Sequence, residues 1–181
     1  MPTTGRPAPV LPGPSAAELA PGLSLSPGSR TVYRGSTFTL AIMVDCGSNA
    51  DGARTTTSFD TTYLEVISVS PDTSKFPNIL ANSFDNGTGT VRYDAGAPLT
   101  CHSEGNCPSG VVRIATITFR AKANTSPNTL VGISGRITWS GVYIFDGAGT
   151  GSTITITSPP TPMPTHTPTN TPHPSVTPTP R

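Results

Sequence analysis

The chain has 181 residues, a formal net charge of +1, 12% charged residues and 21 prolines. Its nine Arg and two Lys are scattered singly, which argues against a nucleic-acid-binding domain with its basic stripe. No apolar run approaches the ~20 residues that a membrane-spanning helix needs. The length fits one domain of ordinary size with additional segments.

Both ends of the chain are rich in proline. Residues 1–22 (MPTTGRPAPVLPGPSAAELAPG) have no period and predict a disordered lead. They lack the basic and apolar regions of a signal peptide, so we expect the chain to be a fragment. Residues 158–181 are a Thr-Pro repeat, which predicts an extended, polyproline-like linker of the kind that joins extracellular modules. The segment 23–157 is therefore the predicted folded domain.

The segment 23–157 has the pattern of short β-strands throughout. Apolar and polar residues alternate, turn signals such as Asn86-Gly87 separate the runs, and no stretch keeps a helical apolar period. The predicted strands are 23–26, 37–45, 53–59, 64–70, 79–84, 90–95, 111–121, 129–138 and 152–157, with a short additional piece at 142–145. Nine such strands predict an all-β fold, a nine-stranded β-sandwich with jelly-roll topology.

Alternation also predicts which side chains form the core. The predicted inward sets are Phe38, Leu40, Ile42 and Val44; Ala115, Ile117 and Phe119, with Ile114 on the opposite face; Val91 and Tyr93; and Ala53, Thr55, Thr57 and Phe59. The two inward threonines need hydrogen-bond partners if they are buried. Together these residues supply one sandwich core.

Three cysteines leave the disulfide pairing open. Cys101 and Cys107 flank the polar stretch HSEGN, which favours a disulfide within that loop. A bridge from Cys46 to one of them is an alternative. A zinc site is disfavoured because the spacing matches no recognised ligand pattern.

The sequence offers no candidate catalytic centre. Of the three histidines, His166 and His173 lie in the Thr-Pro segment and His102 lies in the cysteine loop, so a nucleophile–base pair has no obvious members. Glu is scarce and the aspartates sit at predicted strand ends, where they bond to turn backbone. We therefore predict that the domain is not an enzyme.

Residues 51–71, DGARTTTSFDTTYLEVISVSP, resemble the third-strand region of cohesin domains, the extracellular modules that bind dockerins in cellulosome-type assemblies. Four further segments resemble other cohesin strands in the same order: LSLSPGSRTVYRGSTFTLAIMVD the first and second, FPNILANSFDNGTGTVRYDAGA the fifth and sixth, VVRIATITFRAKA the eighth, and LVGISGRITWSGVYIFDGAGTGSTITI the closing strands. The resemblance covers nearly the whole predicted domain.

The cohesin resemblance implies a nine-stranded jelly roll whose 8-3-6-5 sheet face receives the dockerin. Mapped onto this chain, the implied partner-binding residues are Arg54, Thr56, Ser58, Asn82, Phe84, Arg92, Asp94 and Thr116, with Arg113 and Thr118 on the same implied eighth strand. It also implies a dockerin-bearing partner, calcium on that partner and no cofactor of the chain's own, and an extracellular location, secreted or attached to the cell surface.

Two other functions are compatible with the same architecture. A carbohydrate-binding module would bind polysaccharide on aromatic rings, and Trp139 and Tyr143, four residues apart, could share a strand face as a sugar platform. A lone Trp in a sandwich more commonly packs over the edge of the core. The other alternative is a structural spacer domain of a surface protein.

Overall fold

The computed structural model describes residues 20–161. The predicted lead and Thr-Pro linker fall almost entirely outside these residues and stay predictions. The elements are β1 Gly22–Ser26, β2 Ser29–Tyr33, β3 Thr37–Asp45, β4 Gly52–Ser58, β5 Leu64–Pro71, β6 Asn78–Asp85, β7 Thr90–Gly96, α1 Cys101–Glu104, β8 Val111–Ala121, β9 Thr129–Trp139, β10 Val142–Ala148 and β11 Ser152–Thr157. No helix within this part of the chain has the length and apolar character to span a membrane.

The strands form two sheets packed as a sandwich. The four-stranded sheet has the order β1-β3-β8-β5, and the seven-stranded sheet has the order β2-β11-β9-β4-β7-β6, with β10 also paired to β9. All pairings are antiparallel except that of β2 with β11. The predicted all-β sandwich is confirmed.

The described part of the chain has eleven strands rather than the nine predicted. The prediction missed β2, because Ser29–Tyr33 is exposed or half-buried along its whole length and so has no apolar alternation. It is held instead by its parallel ladder to β11. Strand β10, predicted only as residues 142–145, extends to Ala148 and pairs with β9.

The core lies between the two sheets. Phe38 stacks on Phe119 with ring centroids 5.5 Å apart, and Phe59 meets Phe119 edge-on at 5.4 Å. The predicted inward residues of β3 are all buried. In β8, Ile114 is buried as well as Ala115, because a bulge interrupts the register between β3 and β8. Strand alternation therefore predicts this core except at the bulge.

The inward threonines of β4 lie where alternation predicts them. Thr55 and Thr57 are both fully buried. The Thr55 hydroxyl donates a 2.8 Å hydrogen bond to the carbonyl of Tyr93 on β7, whereas the Thr57 hydroxyl has no partner among the described residues. The register of β4 is therefore fixed with Arg54, Thr56 and Ser58 outward.

Candidate functional site: the outer face of the seven-stranded sheet

Five neighbouring strands present a continuous exposed face, here called the outer face. Strand β4 is paired on both sides, with β7 and with β9; β6 follows beyond β7 and β10 beyond β9. Directly opposite residues share a side of the sheet, so the register gives the outward side chains, which include Ala81, Ser83, Asp85, Thr90, Arg92, Asp94, Arg54, Thr56, Ser58, Ser134, Arg136, Thr138, Tyr143, Asp146 and Ala148. Because most of its strands are paired on both sides, this face is a rigid platform.

Asp94 lies at the centre of the outer face, beneath two arginines. Its Oδ2 atom accepts hydrogen bonds from Arg54 Nε at 3.3 Å and from Arg92 Nε and Nη2 at 3.0 and 2.7 Å. The Asp94 side chain is only 6% exposed, against 60% for Arg54 and 53% for Arg92. Asp94 therefore points outward, as predicted, but the two guanidinium groups cover it. The hydrogen bonds and the negative charge of Asp94 raise the pKa of Arg92.

A second ion pair lies beside the first. Arg136, opposite Arg54 in the β4–β9 ladder, places Nε 3.1 Å from Asp146 Oδ2. Its guanidinium carbon lies 4.8 Å from the centroid of the Tyr143 ring, a cation–π distance. The Asp146 hydrogen bond and charge raise the pKa of Arg136. Asp146 and Tyr143 together hold the Arg136 guanidinium against the sheet.

These residues surround a shallow depression of about 440 Å³. Its lining residues are Gly52, Ala53, Arg54, Leu80, Arg92, Asp94, Ala95, Arg136, Thr138 and Tyr143. Leu80, in a bulge of β6, is 74% exposed, and Tyr143 is 55% exposed. The site thus has a charged floor between two apolar walls, a composition suited to binding a partner surface.

Asn82 and Phe84, predicted to be outward, lie on the opposite side of β6. Asn82 is opposite Tyr93 and Phe84 opposite Val91, whose side chains are buried in the core. The Asn82 side chain donates a 3.3 Å hydrogen bond to the carbonyl of Val69, in the other sheet. The bulge between Ile79 and Ala81 disturbs the alternation of β6, so the two predicted residues do not join the outer face.

Thr116 does not lie on the outer face, where the cohesin resemblance predicts it. It lies in β8, opposite Ala41 of β3 and Ser70 of β5, and so belongs to the four-stranded sheet. Arg113 and Thr118 lie in the same strand. The strands that border β4 are β7 and β9, and β9 contributes Ser134 and Arg136, two residues that were not predicted from the sequence. The alternation of GISGRIT marks them as outward, but strand patterning does not identify neighbouring strands.

The proposed sugar platform does not form. Trp139 pairs with Val142 and Tyr143 with Thr138, so the two rings lie on opposite sides of the β9–β10 hairpin. The turn between them, Ser140-Gly141, reverses the chain with φ angles of 51° and 77°. Trp139 instead stacks on His102 with ring centroids 4.4 Å apart.

The cysteine loop is anchored at one end of the outer face. Cys101 and Cys107 form a disulfide. Their bond leaves Cys46 as a free, buried thiol whose pKa is raised to about 12 by burial and by the charge of Asp45. The sulfur atoms of Cys101 and Cys107 lie close to His102, but each is already bonded to the other sulfur and is no thiolate ligand.

Asp51 connects this loop to the start of β4 and the end of β9. It accepts hydrogen bonds from the Thr138 hydroxyl at 2.7 Å and the Ser140 amide at 2.6 Å, and its Oδ2 lies 3.1 Å from His102 Nε2. Burial raises the pKa of Asp51, but the hydrogen bonds from Thr138, Ser140 and His102 outweigh it, and the pKa lies below its ordinary value. Asp51 is therefore charged at neutral pH.

Comparison with known proteins gives a fold match and no sequence match. No family model and no curated protein matches the chain. Among the solved structures that match is a non-cellulosomal cohesin from Archaeoglobus fulgidus, with a TM-score of 0.61 and 16% identity over 77% of this chain and 93% of that one. CaCohA2 from Clostridium acetobutylicum matches with a TM-score of 0.59 and 16% identity over 75% of this chain and 91% of that one. The third ScaC cohesin from Acetivibrio cellulolyticus, in complex with the ScaB dockerin, matches with a TM-score of 0.57 and 19% identity over 74% of this chain and 98% of that one.

The two sheets and their topology define the domain as a jelly-roll β-sandwich. More narrowly, it has the fold of cohesin domains, and the resemblance noted in the sequence is confirmed at that level.

Proposed function

We propose that the domain is a non-catalytic protein-binding module that binds dockerins through the outer face. The observation that carries this proposal is the fold likeness to cohesins that were solved with dockerins bound, among them the ScaC cohesin with the ScaB dockerin and CaCohA2 with CaDoc0917. The sequence identity is low, 19% to the ScaC cohesin and 18% to CaCohA2. The likeness therefore supports dockerins as the class of partner, without pointing to a particular dockerin.

The outer face supports the same proposal through its physical character. It combines a paired, rigid ladder with exposed polar groups and two large apolar side chains, Leu80 and Tyr143. Protein interfaces take most of their affinity from a few such apolar and arginine anchors in an otherwise polar surface.

In this proposal the module works outside the cell and tethers a dockerin-bearing enzyme, such as one that degrades polysaccharide, to a scaffold or cell surface. Calcium belongs to the dockerin, and residues 158–181 act as the spacer to the neighbouring module. The Cys101–Cys107 disulfide supports an oxidising compartment. Direct sugar binding is not proposed, because Trp139 and Tyr143 do not share a face.

The test is binding of the full chain to a panel of purified dockerins, with calcium and with EDTA, measured by calorimetry. Thr56→Arg places a bulky group on the outer face, and Thr116→Arg places the same group on the four-stranded sheet as a matched control. We expect saturable, calcium-dependent binding that Thr56→Arg abolishes and Thr116→Arg leaves intact. A folded chain that binds no dockerin of the panel, or one that loses binding only with Thr116→Arg, would contradict the proposal.

A further inference from the structure

The centre of the outer face carries an unbalanced positive charge. Arg54 and Arg92 share one carboxylate, Asp94, and both donate to the same oxygen, Oδ2. Asp94 is the ion-pair partner of each arginine within residues 20–161. Two cations against one anion leave a charge of +1 at the middle of the depression.

We propose that the partner presents a carboxylate that binds between Arg54 and Arg92. This inference rests on the proposed function and specifies the chemistry of the dockerin surface that fits this face. Arg54 uses only Nε toward Asp94, and Arg92 uses Nε and Nη2. Terminal guanidinium nitrogens on both side chains therefore remain for a second acid, and an arginine–carboxylate contact is among the stronger charge-assisted hydrogen bonds.

The neighbouring strand adds a second reason for an anionic partner. Arg136 lies directly opposite Arg54 in the β4–β9 ladder, and like charges in directly opposite positions destabilise a sheet. Asp146 pairs with Arg136 but is 52% exposed, so water screens its charge and it offsets the repulsion between Arg54 and Arg136 only in part. A carboxylate bound between Arg54 and Arg92 would lower the repulsion between Arg54 and Arg136, and it would exclude water from the contact.

The apolar walls define what surrounds that carboxylate. Leu80 lies in the bulge of β6 and Tyr143 lies on β10, and these two strands are separated by β7, β4 and β9. Four inter-strand spacings place them roughly 19 Å apart, with the arginine pair between them. The complementary surface is therefore an acidic residue flanked on both sides by apolar ones, with the flanking contacts shielding the ion pair.

The test uses the full chain and each calcium-loaded dockerin that binds it. Arg54→Gln and Arg92→Gln remove one charge each. Arg113→Gln is the matched control, because Arg113 lies in β8 of the four-stranded sheet, is 56% exposed and is ion-paired to Asp72. Asp and Glu residues of the dockerin outside its calcium loops are replaced singly by Asn and Gln. Thermal unfolding checks that every variant is folded.

We expect Arg54→Gln and Arg92→Gln each to weaken binding at least tenfold, and Arg113→Gln to leave it unchanged. One acidic residue of the dockerin should show the same loss, and its effect should nearly vanish in the Arg92→Gln background. Binding that is insensitive to both arginine substitutions overturns this inference and leaves dockerin binding standing. Failure of every dockerin overturns both proposals. Arginine-dependent retention on polygalacturonate without dockerin binding would identify an acidic polysaccharide as the occupant, and it would also overturn both.

Discussion

Asp94 and Arg92 are two positions apart on β7, and the carboxylate oxygen Oδ2 lies 2.7 Å from Arg92 Nη2. Alternate residues of a strand share a face, so this pair lies along the outer side of the sheet while Arg54 reaches Asp94 from the neighbouring strand. The two arginines therefore bury the Asp94 carboxylate on a sheet face that is otherwise exposed. The Oδ1 atom of Asp94 has no hydrogen-bond partner among the described residues. Asp94 is thus held by the arginines and in turn holds them in place.

Asp94→Asn should destabilise the domain by about 1–3 kcal/mol, because it removes the anion from between two guanidinium groups. The figure is small because both arginines are more than half exposed and screened by water. Urea unfolding measures the change, with Asp146→Asn, at a 52% exposed position, expected to cost less than about 0.5 kcal/mol. Equal effects of the two substitutions would contradict a central role for Asp94.

The disulfide should contribute about 2 kcal/mol, the chain-entropy value for a short closed loop. Cys101 and Cys107 are six residues apart, and their loop brings His102 to Asp51 and Trp139. The double variant Cys101→Ser/Cys107→Ser should unfold at lower urea concentration and be cut by proteases within the loop. Reducing agent should shift the wild type to the same midpoint and leave the double variant unchanged. If reducing agent also lowered the unfolding midpoint of the double variant, the loss of stability on reduction would not come from the Cys101–Cys107 disulfide.

Asp51 should titrate below its ordinary value of 3.8, since its hydrogen bonds favour the charged form. With the folded-state pKa below the unfolded one, the carboxylate stabilises the fold above about pH 4 and loses this contribution as the pH falls through the folded pKa. Carbon-detected NMR titration of Asp51 gives the midpoint directly. Thr138→Val removes one donor and should raise that midpoint toward 3.8. A midpoint at or above 3.8 in the wild type would contradict the hydrogen-bond network.

Asn86 should contribute more to stability than its position in a turn suggests. Its side-chain oxygen accepts a 2.7 Å hydrogen bond from the Val66 amide, and its side-chain nitrogen donates a 2.9 Å hydrogen bond to the Val66 carbonyl. The Asn86 side chain thus makes the two hydrogen bonds that the backbone of a neighbouring strand would make. Asn86→Ala leaves both groups of Val66 without these partners and should cost about 2 kcal/mol in urea unfolding. Asn82→Ala, which loses one exposed 3.3 Å bond, is the control and should cost less than about 0.5 kcal/mol.

Local pattern predicted most of this fold, and the errors have physical causes. The inward set Phe38, Leu40, Ile42 and Val44 follows from simple alternation, and β4 keeps its register although Thr55 and Thr57 point inward. Alternation does not detect an inserted residue. Because Leu80 forms a bulge in β6, the prediction that Asn82 and Phe84 point outward is wrong.

Sheet neighbours were harder to predict than strand faces. The pattern of β8 identifies a strand with one buried side but does not say which sheet it enters, so Thr116 was placed beside β4, where β9 lies. Strand pairing depends on contacts between residues far apart in the chain. Arg54, Arg92 and Asp94 were predicted together because β4 and the hairpin strand β7 were matched through a resemblance that spans the whole domain.

Tyr143→Ala and Trp139→Ala should separate partner binding from local stability, because the two rings lie on opposite sides of one hairpin. Tyr143 is 55% exposed beside Arg136 on the outer face, so its truncation should weaken dockerin binding about tenfold, as expected for an aromatic at an interface. Trp139 is partly buried and stacks on His102, so its truncation should lower the unfolding midpoint and leave the affinity of the folded fraction unchanged. Calorimetric titration and thermal unfolding of the same samples measure both effects. If Trp139→Ala lost affinity while Tyr143→Ala did not, the partner would bind on the cysteine-loop side of the hairpin instead of the outer face.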